Sequence, residues 1–289
     1  MDRKNVLVSG ATGFLGSHLI RALVERGDNV AIFKRAASDT WRIADLISEV
    51  RSFNVDIDVV EDAFDDDVVY DALINTAGVY GRKGESSIEL LRSNLCFAVE
   101  LLGICEKHSV RRFINANTSN DRLLNGYALS KRQFSEWGKL YAQKSRMAVY
   151  DIIMEHMYGA NDDDTKFVEF IINSCLANVP ELNLTEGEQE RDFIHIDDVT
   201  SAYLLLVDAP LTGYQKISLG SGVNTRIRDL VEMIHKLTHS KTKLNFGAIP
   251  YREKETLVSH PDLTILHLLG WHAKIQVEQG IRKMLEVRQ

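Results

Sequence analysis

Short apolar runs alternate with longer stretches whose apolar positions recur every three or four residues through the first half of the chain. That alternation predicts strands joined by helical crossovers, and hence a parallel sheet. The predicted strands are Val6–Val8, Val30–Phe33, Val55–Val60, Leu73–Ile74, Phe113–Ile114 and Val149–Met154. Each is nearly continuous in apolar residues, as a strand buried on both faces should be. Helices are predicted at Leu15–Arg26, closed by Gly27, and in two longer stretches near Ile88–Lys107 and Tyr127–Gln143.

After Tyr158 the pattern loosens. An acidic loop, Asp162-Asp163-Asp164, precedes a predicted helix over Thr165–Ala177; Pro180 then opens a short strand and Gly187 lies in a charged loop. Alternation resumes with a strand at Phe193–Ile196, a helix from Asp198, a strand near Ile217–Leu219 and a helix near Ile227–Leu237. The fold class is therefore α/β, a doubly wound parallel sheet with a smaller α/β C-terminal substrate lobe. The expected division assigns 1–157 and a return segment 193–219 to the first domain, and 158–192 with 220–289 to the lobe.

The first predicted strand runs into Ser9-Gly10-Ala11-Thr12-Gly13-Phe14-Leu15-Gly16, with glycines at 10, 13 and 16. Placed between a strand and a helix, such a triplet forms a dinucleotide turn. Gly10 permits the tight bend, Gly13 the approach of backbone to a pyrophosphate, and Gly16 close helix–strand packing. Free N–H groups at the helix start favour phosphate. The second strand ends in Phe33-Lys34-Arg35 where a carboxylate would select NAD. Two cations suit a 2′-phosphate and point to NADP (as NADPH), with NAD still possible; the alternative is a solvated pair of surface charges. Asp62, next to Ala63, is positioned to accept an adenine amino group, or is one more loop carboxylate beside Asp65, Asp66 and Asp67.

Composition narrows the remaining classes. A net charge of -7 argues against binding nucleic acid, which needs clustered Lys and Arg, but not against a local basic pocket for one anionic ligand. No membrane-length apolar run or signal-peptide core is present, and the expected location is the cytoplasm. Cys96, Cys105 and Cys175 lie in apolar helical stretches without a CxxC, so buried, reduced thiols are expected. His235 and His239 share a helix face without a partner carboxylate motif, so no metal site is expected.

Tyr127 and Lys131 stand four residues apart, on one face of a predicted helix. A phenol with a pKa near ~10 is a poor acid–base group at neutral pH, and a nearby ammonium lowers it. The polar run Asn117-Thr118-Ser119-Asn120 follows the fifth strand, offering a hydroxyl beside the phenol for a substrate carbonyl.

These motifs in this order resemble an extended short-chain dehydrogenase/reductase of the NAD-dependent epimerase/dehydratase family. The match includes the glycine triplet, Asn75-Thr76-Ala77-Gly78, Asn94, Tyr127-x-x-x-Lys131, Tyr158-Gly159, Arg191-Asp192-Phe193 and the run from Ile194 to Asp198. Gly220-Ser221-Gly222, Arg252 and Leu269-Gly270-Trp271 complete it. Narrower likenesses, in Ala77–Arg82, Glu155–Gly159, Asp164–Phe167 and Phe246–Ile249, are to the CDP-abequose and CDP-paratose synthases, which reduce a CDP-4-keto-3,6-dideoxyglucose.

The resemblance implies that Thr118, Tyr127 and Lys131 are catalytic. It implies cofactor contacts at Gly10, Thr12, Gly13, Phe14, Leu15, Gly16, Lys34, Arg35, Asp62, Ala63, Thr76, Ala77, Gly78, Asn94, Tyr127, Lys131, Met154 and His156. Substrate contacts are implied at Tyr80, Thr118, His156, Lys166, Phe167, Arg191 and Arg252, the two arginines holding a nucleotide-sugar diphosphate or else standing as surface charges. Asn94 either orders active-site hydrogen bonds or packs a helix. His156 stands where the family has a substrate-binding Asn. Ser119-Asn120 replaces the Asp-Glu of sugar-nucleotide dehydratases, which removes dehydration. The narrower likeness, with the basic end of the second strand, implies an NADPH-dependent 4-ketoreductase of a nucleotide-linked 4-keto-6-deoxy or 3,6-dideoxy hexose, serving O-antigen-type polysaccharide synthesis. The alternatives are a 4-epimerase with tightly held NAD and an inactive nucleotide sensor. A homodimer built from the two long helices is also implied.

Overall fold

The computed structural model of the protein describes residues 3–64, 68–251 and 258–288. In chain order the elements are β1 (Asn5–Ser9), α1 (Phe14–Arg26), β2 (Asn29–Lys34), β3 (Arg51–Asn54), β4 (Ala72–Asn75), α2 (Ser87–Leu91), α3 (Phe97–Lys107), β5 (Arg112–Thr118), α4 (Gly126–Lys144) and β6 (Ala148–Met154). They continue with β7 (His156–Tyr158), α5 (Phe167–Leu176), β8 (Glu181–Asn183), β9 (Glu190–His195), α6 (Ile196–Asp208) and β10 (Tyr214–Leu219). The last are β11 (Asn224–Arg226), α7 (Ile227–Leu237), β12 (Lys243–Asn245), α8 (Thr264–Leu268) and α9 (Val277–Glu286).

The chain divides into two compact units, Met1–Met154 with Thr200–Ser218, and Glu155–Val199 with Leu219–Gln289. The first is built on a seven-stranded sheet in the order β10-β6-β5-β4-β1-β2-β3. The ladders from β6 across to β3 are parallel. From β1 the chain winds outward to β3 and then returns to β4 on the other side of β1. The C-terminal ends of β1 and β4 thus flank the point where the winding reverses, where open α/β sheets leave a crevice for ligands. Leu19, Ile20 and Leu23 of α1 and Val6, Leu7 and Val8 of β1 have no exposed surface. Full burial of each such side chain contributes about 1.5–3 kcal/mol.

One predicted strand is displaced. Val55–Val60 is not a strand; the pairing segment is Arg51–Asn54, and Val60 begins a short 3₁₀ turn. As the edge strand beyond β2, β3 is half exposed and polar, so an apolar run was the wrong signal. Val55 and Val60 instead pack against the core. The predicted helix Ile88–Lys107 exists but carries a π segment at Arg92–Cys96 between α2 and α3. Of the three thiols, Cys105 and Cys175 are buried as expected; Cys96, in the π segment, is exposed.

The second unit pairs β9 with β7 and β11, and β12 with β8. Phe193–Val199 therefore lies with this unit. Its core gathers Ile171, Ile172, Phe193, Leu230, Ile234, Ile281 and Met284. Gly280 approaches the Tyr158 ring so closely that an added Cβ would stand 2.1 Å from the hydroxyl. Among the described residues no helix is long and apolar enough to cross a membrane.

Ahead of α5, burial raises the Asp162 carboxyl to about 6, against the opposing pull of Lys166. The folded state therefore holds this proton more tightly than the unfolded chain does, and its stability falls as pH rises from about 4 through 6. Asp162→Asn keeps the acceptor for the Asp163 N–H, 2.8 Å away, and removes the buried charge. Urea titrations should find the variant stabilised at pH 8 by up to about 3 kcal/mol and little changed at pH 4.

Candidate active site

The glycine turn sits at the end of β1. Gly10 adopts φ 71°, in the left-handed region. An added Cβ there would lie 2.6 Å from the Ala77 N and 2.7 Å from the Thr76 carbonyl carbon, so this turn and the segment after β4 touch backbone to backbone. Thr76 fastens the contact, its hydroxyl donating to the Ser9 carbonyl at 2.7 Å. Gly16 packs against the Gly10 carbonyl oxygen, 2.2 Å from a would-be Cβ. Gly13 differs. It is exposed, and the one close neighbour of an added Cβ is the Gly10 oxygen at 3.2 Å. It precedes a first helical turn with no side-chain cap and no acidic residue. An open, uncapped helix start beside an uncrowded glycine fits a pyrophosphate. Thr12 is half-buried, and Phe14 and Leu15 turn inward to the core.

Toward the edge of the sheet, the Lys34 ammonium donates to Asn54 Oδ1 at 2.7 Å, while Arg35 is exposed just past β2. Asp62 is exposed in the 3₁₀ turn and Ala63 beside it is buried. Asp65, Asp66 and Asp67 lie outside the described residues.

On the other side of β4, Asn94 is buried in the π segment. The extra residue of a π turn re-aims side chains, and the Asn94 amide is used in full. It accepts from the Val79 N–H at 2.8 Å and donates to the Val79 carbonyl at 2.9 Å and to Ser130 Oγ at 3.1 Å. Asn94 thereby ties the Ala77-Gly78-Val79 backbone to α4. That helix starts one residue before Tyr127, capped by Asn125, whose side chain accepts from the Ala128 N–H. Lys131 is buried and donates from Nζ to the Ala77 carbonyl at 3.1 Å. Burial lowers its ammonium to about 8, with the Asp151 charge acting against that fall.

Tyr127 packs on Tyr80 with ring centroids 4.7 Å apart and the planes tilted by 35°, and Arg82 lies over the Tyr80 ring. Burial, reinforced by the Tyr80 phenol, pushes the Tyr127 hydroxyl well above the usual phenol range. This departs from the sequence expectation that Lys131 lowers it. Lys131 turns to the Ala77 carbonyl, and desolvation dominates at the phenol. A neutral phenol is a proton donor, not a base. Thr118 is buried at the end of β5, and its Oγ1 accepts from the Asn120 N–H at 3.2 Å. Met154 pairs with Thr118 across the ladder, and its carbonyl accepts from the Ser119 N–H.

Direct contacts thus join Gly10, Thr76, Ala77, Gly78, Asn94, Tyr80, Tyr127 and Lys131 into one connected cluster in the first unit. Thr12, Gly13, Phe14, Leu15, Gly16, Lys34, Arg35, Asp62, Ala63, Thr118 and Met154 also lie in the first unit, and His156, Lys166, Phe167 and Arg191 lie in the second. His156 lies in β7, half-buried, with Nδ1 3.8 Å from Glu155 Oε2. Lys166 and Phe167 open α5, Phe167 exposed. Arg191 is buried in β9 and donates to the Glu190 carbonyl at 2.9 Å. Arg252 lies outside the described residues.

A feature the sequence reading missed runs beneath the cluster. Ser9, Asn75, Asn115 and Asp151 occupy one register line across β1, β4, β5 and β6, and all are buried. Ser9 Oγ donates to Asn75 Oδ1, Asn75 Nδ2 to Asn115 Oδ1, and Asn115 Nδ2 to Asp151 Oδ1, at 2.5, 2.8 and 3.1 Å. The available signal was a polar residue interrupting or ending the apolar run in each of these four strands.

A glycine turn at the reversal point of a parallel sheet, with a tyrosine and lysine one helical turn apart beside it, defines a dinucleotide-dependent dehydrogenase class. The chain belongs to the NAD-dependent epimerase/dehydratase family, which its residues 6–220 match. It is 30% identical to the CDP-abequose synthase of Salmonella muenchen over 294 residues, covering 99% of this chain and 98% of that protein. The UDP-glucose 4-epimerase of Thermotoga maritima, solved with UDP-glucose, has a TM-score of 0.83 at 20% identity, with 98% and 97% of the two chains covered. The NAD complex of the UDP-glucose 4-epimerase of Thermus thermophilus has a TM-score of 0.81 at 21% identity, covering 98% of each chain.

Proposed function

We propose that this protein is an NADPH-dependent reductase of the C4 ketone of a nucleotide-diphosphate-linked 4-keto-6-deoxy or 3,6-dideoxy hexose. The observation that carries the reading is Tyr127, a neutral phenol at the head of α4, one turn before the buried Lys131. The full-length similarity to a CDP-abequose synthase supports the sugar class. The O-antigen-type pathway, the cytoplasmic location and a homodimer through α2, α3 and α4 belong to the same proposal. Exposed Ile88, Trp137 and Leu140 on α2 and α4 support the dimer.

In this mechanism the N–H groups from Gly13 to Gly16 hold the pyrophosphate, Lys34 and Arg35 the 2′-phosphate, and Asp62 and Ala63 the adenine. Thr76, Ala77 and Gly78, braced by Asn94, line the nicotinamide end. The bound dinucleotide supplies the hydride. Thr118 donates a hydrogen bond to the C4 oxygen, and Tyr127 donates its proton as charge develops there. The phenol enters protonated, as this direction requires, and its burial makes it the weaker acid until charge develops on the C4 oxygen. Lys131, charged below about 8, lies one helical turn from the phenolate left behind. In the second unit His156, Lys166, Phe167 and Arg191, with Arg252, are the proposed sugar and diphosphate contacts.

Arg35→Ala should weaken NADPH binding by about 10-fold or more, the loss of one charge-assisted phosphate contact, and leave NADH binding unchanged; fluorescence titration of both dinucleotides checks this. The function itself is tested by incubating the protein with NADPH and a panel of CDP-, dTDP-, GDP- and UDP-linked 4-keto-6-deoxy sugars. Loss of absorbance at ~340 nm with one of them supports a reductase. Conversion without NADPH consumption, by protein that retains NAD through purification, identifies an epimerase instead.

A further inference from the structure

Asp151 is fully buried in the middle of β6, and nothing in the proposed hydride transfer uses it. Four side chains donate to its two oxygens. Oδ1 accepts from Asn115 Nδ2 at 3.1 Å and Asn117 Nδ2 at 2.9 Å. Oδ2 accepts from Asn117 Nδ2 at 3.0 Å, Ser135 Oγ at 2.6 Å and the Tyr214 hydroxyl at 3.0 Å. Convergence of donors with no acceptor matches a carboxylate, which can only accept. These neutral donors satisfy the oxygens but do not neutralise a buried charge.

Three cations of α4 bear on this region: Arg132 acts on Tyr214, Lys139 Nζ lies 5.6 Å from the Tyr214 ring centroid, and Lys131 is the buried one. Ser135, bonded to Oδ2, follows Lys131 by four residues on the same face of α4. Around Lys131 Nζ are the Ala77 carbonyl and Gly78 from the segment after β4, with Asn94 of the π segment beside Gly78. None of these is charged. Tyr127 lies a turn earlier on the same helix, and Tyr203 of α6 and Tyr214 of β10 border Asp151.

We propose that Asp151 is a positioning residue for Lys131, the buried counter-ion that keeps the lysine ammonium charged and aimed at the Ala77 carbonyl. The Ser9-Asn75-Asn115 line is then the brace that holds this carboxylate in register with the glycine turn. Burial discharges a lysine and a neighbouring opposite charge restores it; the Asp151 charge acts on Lys131 in that direction. The catalytic consequence rests on the reductase reading, whereas the charge coupling does not.

The test labels lysine Cε with ¹³C and follows it by NMR against pH, the Lys131 signal being the one lost in Lys131→Met. Asp151→Asn should fold, since its amide can occupy the Oδ2 position and donate to the Ser135 and Tyr214 hydroxyls. Its Lys131 midpoint should fall by at least about one pH unit, while Asp151→Glu restores most of the shift. If Asp151→Asn does not fold, Asp151→Ser reads the same coupling. A Lys131 midpoint unmoved in whichever of these two variants folds overturns the proposal. If the protein reduces a 4-keto sugar, the alkaline limb of its pH–rate profile moves down with the lysine in Asp151→Asn. If no substrate is turned over, the reductase reading fails and the titrations still decide the coupling.

Discussion

Tyr127→Phe should lower turnover by at least ~10²-fold while leaving dinucleotide affinity within about two-fold of the wild type. The phenyl ring keeps its tilted packing on Tyr80, 4.7 Å between centroids, so α4 and the Ala77–Tyr80 segment stay in place. What disappears is the proton donor. Thr118 can still hydrogen-bond a carbonyl oxygen but has no base behind it, its Oγ1 accepting from the Asn120 N–H. Steady-state rates paired with dinucleotide titration separate the two quantities. Retained turnover in the variant would remove Tyr127 from the chemistry.

The glycine turn gives the second large effect, and its members should fail in different ways. In Gly16→Ala the new methyl would stand 2.2 Å from the Gly10 oxygen and 2.9 Å from its carbonyl carbon. Those atoms are backbone held against Thr76 and Ala77, so α1 must move. The cost should reach about 3 kcal/mol or more, and the melting temperature should drop with or without dinucleotide. Gly13→Ala meets one atom at 3.2 Å, and its φ of -76° suits any residue. That variant should melt like the wild type alone but lose most of the rise in melting temperature on adding NADPH. Equal behaviour of the two variants would contradict the division of roles.

These contrasts follow from how physical constraints leave traces in a sequence. Strands β1, β2, β4, β5 and β6 were legible because burial on both faces forces continuous apolar runs. The edge strand β3 lacks that constraint, and Arg51-Ser52-Phe53-Asn54 carries no such run. The short strands β7, β11 and β12 span three residues each, too few for any period to register. The π segment was invisible because one inserted residue barely disturbs the apolar repeat from Ile88 to Lys107, yet it aims Asn94 at Val79. Tyr127, Lys131 and the glycines were legible as spacing. The state of the phenol was not, because burial and the Tyr80 contact come from chain segments distant in sequence. Asp151 went unread for a similar reason. A lone aspartate in Tyr150-Asp151-Ile152 acquires meaning when four strands bring Ser9, Asn75 and Asn115 onto its register line.

The central claim is that a hydride passes once from a dinucleotide bound at the Gly10–Gly16 turn to a sugar carbonyl protonated by Tyr127. Reaction with NADPH carrying deuterium at both C4 positions of the nicotinamide, on CDP-4-keto-3,6-dideoxyglucose or whichever panel member is consumed, addresses it directly. The account predicts a product with one deuterium at sugar C4 and one equivalent of NADP formed. A product free of deuterium, with the added NADPH unchanged, would contradict it.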